Sequence, residues 1–300
     1  MRERLGLSDE QFAEFFRTLA ARLGRRTFSP EAYAHAIGYP WSRPARSYLF
    51  TGGTVQLLDE LQPRRRAEIL LRFTGIAEHR PDTARTPLLA FGSNASPAAL
   101  RRKFAHFPDA EDRSVLVLAG RLHEFDVGAS AQPTIYGAMP ATLFASPGTA
   151  VRAGVLWVTP HQFTQLVWSE LSYGLGRLDA PFEADEPDHS LGSVIAFVSR
   201  FGAFAPSGRP IALAAIPASG RRAPALAQEQ VLGAAAALAL GPDAGAEALV
   251  REVFESFSEL IPRLERTVRR CAEPFSSPRW TPYRSGGDCA GLGSRPEPSH

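Results

Sequence analysis

Two segments of this 300-residue chain carry groups of chemical interest: one could bind an anion, and the other could exchange a proton. In the first, residues 88–104, an apolar strand is followed by a small polar loop and then by a helix. Ser96 occupies the N-cap position and Pro97 the first helical position, so the pattern predicts that unpaired N–H groups and the positive end of the helix dipole face the loop. Such a junction favours an anion. The alternative is an ordinary strand-to-helix connection.

The loop between this strand and helix is built of small and polar residues. Gly92 removes a Cβ atom at the point where a ligand would approach the backbone. No motif ties a histidine to Ser93, so a serine nucleophile is not favoured. The residues that would form the anion site are Phe91, Gly92, Ser93, Asn94, Ala95 and Ser96.

The second segment is a predicted helix over residues 161–171. Phe163, Leu166, Val167 and Glu170 follow the spacing i, i+3, i+4, i+7, so one helix face is predicted to carry three apolar side chains and then a carboxylate. Burial favours the neutral form of a carboxyl group, which suits an acid or base that exchanges a proton near neutral pH. The alternative is a glutamate that reaches solvent or pairs with an arginine such as Arg177.

Further motifs lie between these two segments. They are Gly137-Ala138-Met139-Pro140-Ala141-Thr142, the turn Ser146-Pro147-Gly148, and Gly154-Val155-Leu156-Trp157. In order and spacing, the whole series resembles the γ-glutamylcyclotransferases over about residues 86–240. Four positions depart from the family, which has tyrosine, leucine, aspartate and glycine where this chain has Phe91, Ala95, Val167 and Leu171. A tyrosine used by some members has Phe201 or Phe204 nearest to it.

The resemblance implies an α+β fold: a small mixed-sheet barrel with flanking helices, extended here by an N-terminal helix and hairpin. It implies that the amine of a γ-glutamyl amide or peptide attacks its own γ-carbonyl and releases 5-oxoproline. Glu170 would be the catalytic acid and base, and the N–H groups of residues 91–96 would bind the substrate. No cofactor and no metal are implied. The alternative is a non-catalytic binding or interaction protein that retains the pocket, which the departures and the added terminal segments favour.

Composition argues against other partners and compartments. The 33 basic and 31 acidic residues leave a net charge of +2 and form no basic stripe, so nucleic acid is not expected. Lys103 is the sole lysine and follows no glycine-rich run, which excludes a P-loop. Cys271 and Cys289 lack metal-binding spacing. The sequence shows no signal peptide or membrane helix, so we expect a cytoplasmic protein with a small-molecule substrate, either as a monomer or as a homodimer.

Four regions are predicted along the chain. Residues 1–84 form a helix and hairpin segment in which Ser8 and Gln11 make a capping box, and residues 78–85 link this segment to the core. Residues 85–242 are the cyclotransferase-like core. Residues 243–272 are an amphipathic helix that docks on the leading segment or forms a dimer contact. Residues 273–300, rich in Pro, Ser and Gly, are expected to be disordered.

Overall fold

The structure, a computed structural model, describes residues 8–75, 85–170 and 172–283. Most of the predicted linker at 78–85 lies outside the described residues. The described α-helices are α1 (Asp9–Leu23), α2 (Pro30–Ile37), α3 (Pro63–Thr74), α4 (Pro97–Phe104), α5 (Pro160–Ser169), α6 (Gln228–Leu240), α7 (Ala246–Glu255) and α8 (Phe257–Arg266). The described strands are β1 (Tyr48–Thr51), β2 (Thr54–Leu57), β3 (Thr86–Ala90), β4 (Ser114–Ala129), β5 (Ala141–Val158), β6 (Tyr173–Leu178), β7 (Phe182–Ala184), β8 (Val194–Ser199), β9 (Ala203–Phe204), β10 (Ala212–Leu213), β11 (Ala218–Ser219), β12 (Ala225–Leu226), β13 (Ala272–Glu273) and β14 (Trp280–Pro282).

A large, mostly antiparallel sheet organises the molecule. Its main path runs β12-β10-β4-β5-β3-β8-β6-β14, and the antiparallel β4–β5 pair forms its centre. Within the described residues the two ends of this path do not pair, so the predicted closed barrel is wrong, whereas the mixture of helices and strands is confirmed. The physical reason is that β14 occupies the free edge of β6, and a barrel closes only when its edge strands pair with each other.

The leading segment is joined to the core sheet. Strand β1 pairs with β2 as a hairpin and, on its other side, with β4, where Tyr48 lies opposite Val117. Ser8 and Gln11 form the expected capping box at the start of α1. Helix α1 also packs against α8, with the rings of Phe16 and Phe257 6.0 Å apart. The helix predicted over 243–272 is two helices, α7 and α8, which break at Ser256.

The tail predicted to be disordered from residue 273 is ordered as far as residue 283. Strand β13 pairs with β9, and β14 pairs with β6, where Trp280 lies opposite Leu178. Trp280 also packs edge-on against Phe275, with ring centroids 5.6 Å apart. Gly176 makes room for the Trp280 ring, because a Cβ atom at this position would lie 2.6 Å from the ring. Apolar side chains that dock on the sheet thus order a segment whose composition favours disorder. Residues 284–300 lie outside the described residues.

Candidate functional site

Helix α5 delivers Glu170 to the site. The helix begins at a capping box made by Thr159 and Gln162, and its residues Phe163, Leu166 and Val167 are buried as predicted. The helix ends one residue before Glu170, which is the C-cap and donates its backbone N–H to the carbonyl of Leu166 at 3.0 Å. The Glu170 side chain is 16% exposed. The Glu170 side chain is therefore mostly enclosed.

The Glu170 carboxylate forms a closed triangle of polar contacts. Its Oε1 atom accepts from Asn94 Nδ2 at 3.0 Å and from Lys103 Nζ at 2.8 Å. The Lys103 ammonium also donates to Asn94 Oδ1 at 2.7 Å. In the part of the chain that the structure describes, no hydrogen bond ends on Oε2. Arg177, the pairing partner considered from the sequence, contacts Asp179 instead.

Lys103 is a site residue that the sequence reading missed. It lies in the last turn of α4 with a side chain that is 14% exposed, and the helix carries the ammonium back beneath the loop that precedes it. One sequence signal was available, since every other basic residue among the 33 is an arginine. A single lysine is not by itself informative. Only the fold shows that its ammonium reaches a carboxylate 67 positions away.

The loop at residues 91–96 forms a tight turn that uses some of its own amides. The N–H of Ala95 donates to the carbonyl of Gly92 at 3.2 Å, and that of Ser96 donates to the carbonyl of Ser93 at 2.9 Å. Ser96 is the N-cap of α4, but its side chain makes no capping bond and its buried Oγ has no partner in the described structure. Two of the predicted anion-binding N–H groups are therefore already satisfied within the loop.

Tyr39, from the segment that follows α2, fills the space above Gly92. Its hydroxyl accepts from the N–H of Ala141 at 2.9 Å. A Cβ atom on Gly92 would lie 2.6 Å from this hydroxyl, so the missing side chain makes room for Tyr39. Burial raises the pKa of Tyr39 to about 12, so the hydroxyl is protonated at neutral pH. Among the described residues, no hydrogen bond uses its proton.

Two further tyrosines lie around Glu170. Tyr173 donates its hydroxyl to the carbonyl of Ala141 at 2.7 Å. Burial raises the pKa of Tyr136 and of Tyr173, and the negative charge of Glu170 raises both further, as it does for Tyr39. These three phenol groups, which lie within electrostatic range of the carboxylate, therefore stay protonated near neutral pH.

The two phenylalanines nearest to the missing family tyrosine lie in other contacts. Phe201 packs against Phe12 and Phe16, with ring centroids 5.6 and 5.2 Å away. Phe204 is buried in β9, which pairs with β13. The hydroxyl groups near Glu170 therefore come from Tyr39, Tyr136 and Tyr173, positions that the motif comparison did not indicate.

Comparisons with known proteins add little support for the resemblance to γ-glutamylcyclotransferases. No protein-family model matches the chain, and no curated protein matches it. One solved structure, titled "Gamma-glutamyl cyclotransferase", matches with a TM-score of 0.30 and 16% sequence identity. That match covers 38% of this chain and 66% of the other, just under two thirds of its length. At this TM-score the similarity carries no argument about the site.

The described ranges, 8–75, 85–170 and 172–283, hold neither a metal-binding cluster nor a membrane-spanning helix. In those ranges no three His, Cys, Asp or Glu side chains gather closely enough to hold a metal ion. None of the described helices has both the length and the apolar character needed to cross a membrane.

Proposed function

We propose that this protein is a cyclotransferase that releases 5-oxoproline from a small γ-glutamyl amide or peptide, with Glu170 as the acid and base. One observation carries the proposal: the enclosed Glu170 carboxylate contacts the loop after β3 through Asn94 and keeps Oε2 without a described partner. An ionised carboxylate is an acceptor only, so Oε2 suits a substrate ammonium group. The series of motifs from Phe91 to Glu170 supports the same chemistry.

The reaction moves two protons from the α-amino nitrogen to the leaving nitrogen. Glu170 takes the first proton from the substrate ammonium, and the freed amine attacks the γ-carbonyl carbon to form the ring C–N bond. Glu170 gives this proton to the leaving nitrogen and then takes the second proton from the positively charged ring nitrogen. The bond from the carbon to the leaving nitrogen breaks, and Glu170 passes the second proton to the released amine, which leaves as an ammonium. The remaining N–H of the Lys103 ammonium and the hydroxyl proton of Tyr39 are donors for the substrate carboxylate and the developing oxyanion. These two side chains take over part of the role expected of the loop amides.

A second candidate function is ligand binding without turnover. Its support is that the loop amides of Ala95 and Ser96 are satisfied internally and that Tyr39 occupies the space above Gly92. A substrate would have to use side-chain donors in place of these amides. A protein that binds γ-glutamyl compounds without cleaving them is compatible with this arrangement.

The test is a panel of γ-glutamyl amides and peptides incubated with the protein while 5-oxoproline is measured, together with calorimetric binding. We expect release by the parent protein. Glu170→Gln keeps the size of the side chain and one acceptor oxygen but cannot take up the proton, so it should lower release by about 10²- to 10⁴-fold. Binding by this variant should be weaker but still measurable, because an amide group replaces only the contact to the substrate ammonium. Glu259→Gln, at an exposed position in α8, is the matched control and should leave release unchanged.

The outcomes separate the two functions. Release by the parent that survives in Glu170→Gln would refute the assigned role of this residue. Binding without release from any member of the panel would refute the cyclotransferase and favour the binding protein. Neither binding nor release would refute both.

A further inference from the structure

A cavity beside the loop at residues 91–96 is lined by residues that do not include Glu170. Its volume is about 190 Å³, and its floor is a row of small residues on three neighbouring strands. The register brings them together, because Ala90 of β3 and Ala119 of β4 both lie opposite Gly154 of β5. Two residues along the same strands, the next row on this face of the sheet has larger side chains, Leu88, Leu156 and Val117. The cavity thus follows from small side chains at one level of the sheet.

The charged side chains that line this cavity are all cations. They are Arg43, Arg46 and Arg152, and no carboxylate lines it. Arg46 is neutralised by Asp59 and Glu60, and Arg152 by Asp185, which stand outside the cavity.

Arg43 differs from the other two arginines because no described carboxylate pairs with it. Its guanidinium donates to the carbonyl of Phe91 at 2.7 Å and to that of Ala215 at 3.2 Å, which leaves further N–H donors unused. Burial lowers the pKa of Arg43, the mark of a cation taken partly out of water. A partly buried cation without a counter-charge is costly, so an anion placed beside it would be stabilised.

We propose that this cavity binds a short-chain aliphatic carboxylate, at a site separate from Glu170. The planar guanidinium of Arg43 matches the two oxygens of a carboxylate. The floor of Ala90, Ala119 and Gly154 offers an apolar surface to a short hydrocarbon chain but no hydrogen bonds for a second polar group. Pockets for drug-sized ligands measure about 300–1,000 Å³, so a cavity near 190 Å³ suits a smaller molecule.

The ligand would also contact the loop of the candidate active site. Ala95 lines the cavity, and its carbonyl accepts from the hydroxyl of Tyr48 at 2.8 Å. Arg43 holds the carbonyl of Phe91, at the start of the same loop. Binding can nevertheless be tested by itself, because the proposal does not depend on any catalytic activity.

The experiment is titration calorimetry of the full chain with sodium butyrate, and with inorganic phosphate and butylammonium chloride at equal ionic strength. We expect saturable binding of butyrate at one site, weaker binding of phosphate, and none of butylammonium. Arg43→Gln should weaken butyrate binding about ten- to hundredfold, the range expected for losing a charge-assisted hydrogen bond. Ala119→Val should abolish it by filling the floor with a side chain that a strand accepts readily. The control is Arg121→Gln, an exposed arginine outside the cavity, which should bind butyrate like the parent.

Thermal unfolding of each variant shows whether it has folded. A folded Arg43→Gln protein with the parent's affinity for butyrate would overturn the proposal, as would the absence of butyrate binding by the parent. Phosphate bound more tightly than butyrate would overturn the assignment to an aliphatic carboxylate. Loss of butyrate binding in Glu170→Gln would also overturn it, by locating the ligand at the candidate active site. Retained binding in that variant, with loss in the two cavity variants, would support it.

Discussion

Replacing Lys103 by methionine removes the ammonium that neutralises Glu170 while keeping most of the length of the side chain. The two groups are 2.8 Å apart and each is about 15% exposed, at 14% and 16%. With an effective dielectric constant near 20, the Coulomb attraction at this distance is about 6 kcal/mol. The cost of removing both charges from water offsets part of it, and breaking such a pair typically costs about 3–5 kcal/mol. We therefore expect Lys103→Met to lower the free energy of unfolding by about 3 kcal/mol.

Urea unfolding of Lys103→Met, Glu170→Gln and the double variant measures this coupling. Each single variant leaves one charge without its counter-charge, whereas the double variant removes both charges, so the combined loss should be smaller than the sum of the two single losses by about 2 kcal/mol or more. Arg251→Met is the control, because its ion pair with Glu247 has a similar distance of 2.7 Å but is exposed. That loss should be below about 1 kcal/mol. Single losses that simply add up would refute the assigned ion pair.

Three other predictions concern packing, pH and a second ion pair. Gly92→Ala should destabilise the protein by about 1–3 kcal/mol, because the new Cβ atom clashes with the Tyr39 hydroxyl. The added change Tyr39→Phe removes that hydroxyl and should recover part of the loss. Equal urea midpoints for the single and double variants would contradict this cause. Because burial raises the folded-state pKa of Tyr39 from 10.0 to about 12, its stabilising contribution is complete below pH 10 and is lost as the pH rises to 12, by about 3 kcal/mol. Urea titrations between pH 9 and 12 should show a shallower decline for Tyr39→Phe. Arg221→Met leaves the carboxylate of Asp126, which is 0% exposed, without its two 2.8 Å contacts, so thermal and urea unfolding should report a loss of about 3–5 kcal/mol.

Local patterns in the sequence were sufficient to predict several elements of the fold. The capping box at Ser8, a hairpin in the leading segment, and a helix that begins at Pro97 all occur in the structure. Each depends on contacts between residues a few positions apart, which a sequence displays directly. The apolar stripe of α5 likewise predicted which of its side chains are buried.

Closure of the sheet and order in the tail could not be predicted in the same way. Whether a barrel closes depends on which strand occupies each sheet edge, and here β14 takes the edge of β6 from about 100 residues further along the chain. The same pairing orders a segment whose composition suggests disorder. The apolar contacts of Phe275 and Trp280 order this segment despite its composition, and these contacts exist only once the sheet has formed.

The sequence by itself determined that a polar loop with a glycine precedes a helix and that a glutamate ends another helix. The tertiary structure decided what surrounds that glutamate. Lys103 contacts Glu170, and Tyr39 and Tyr136 lie within the range of its charge, because of how helices and strands distant in sequence pack together. The structure also decided that Gly92 accommodates a phenol hydroxyl of the same chain. The reason is physical: backbone conformation is set by near neighbours, whereas the charge and solvation of a side chain are set by whichever groups the complete fold brings against it.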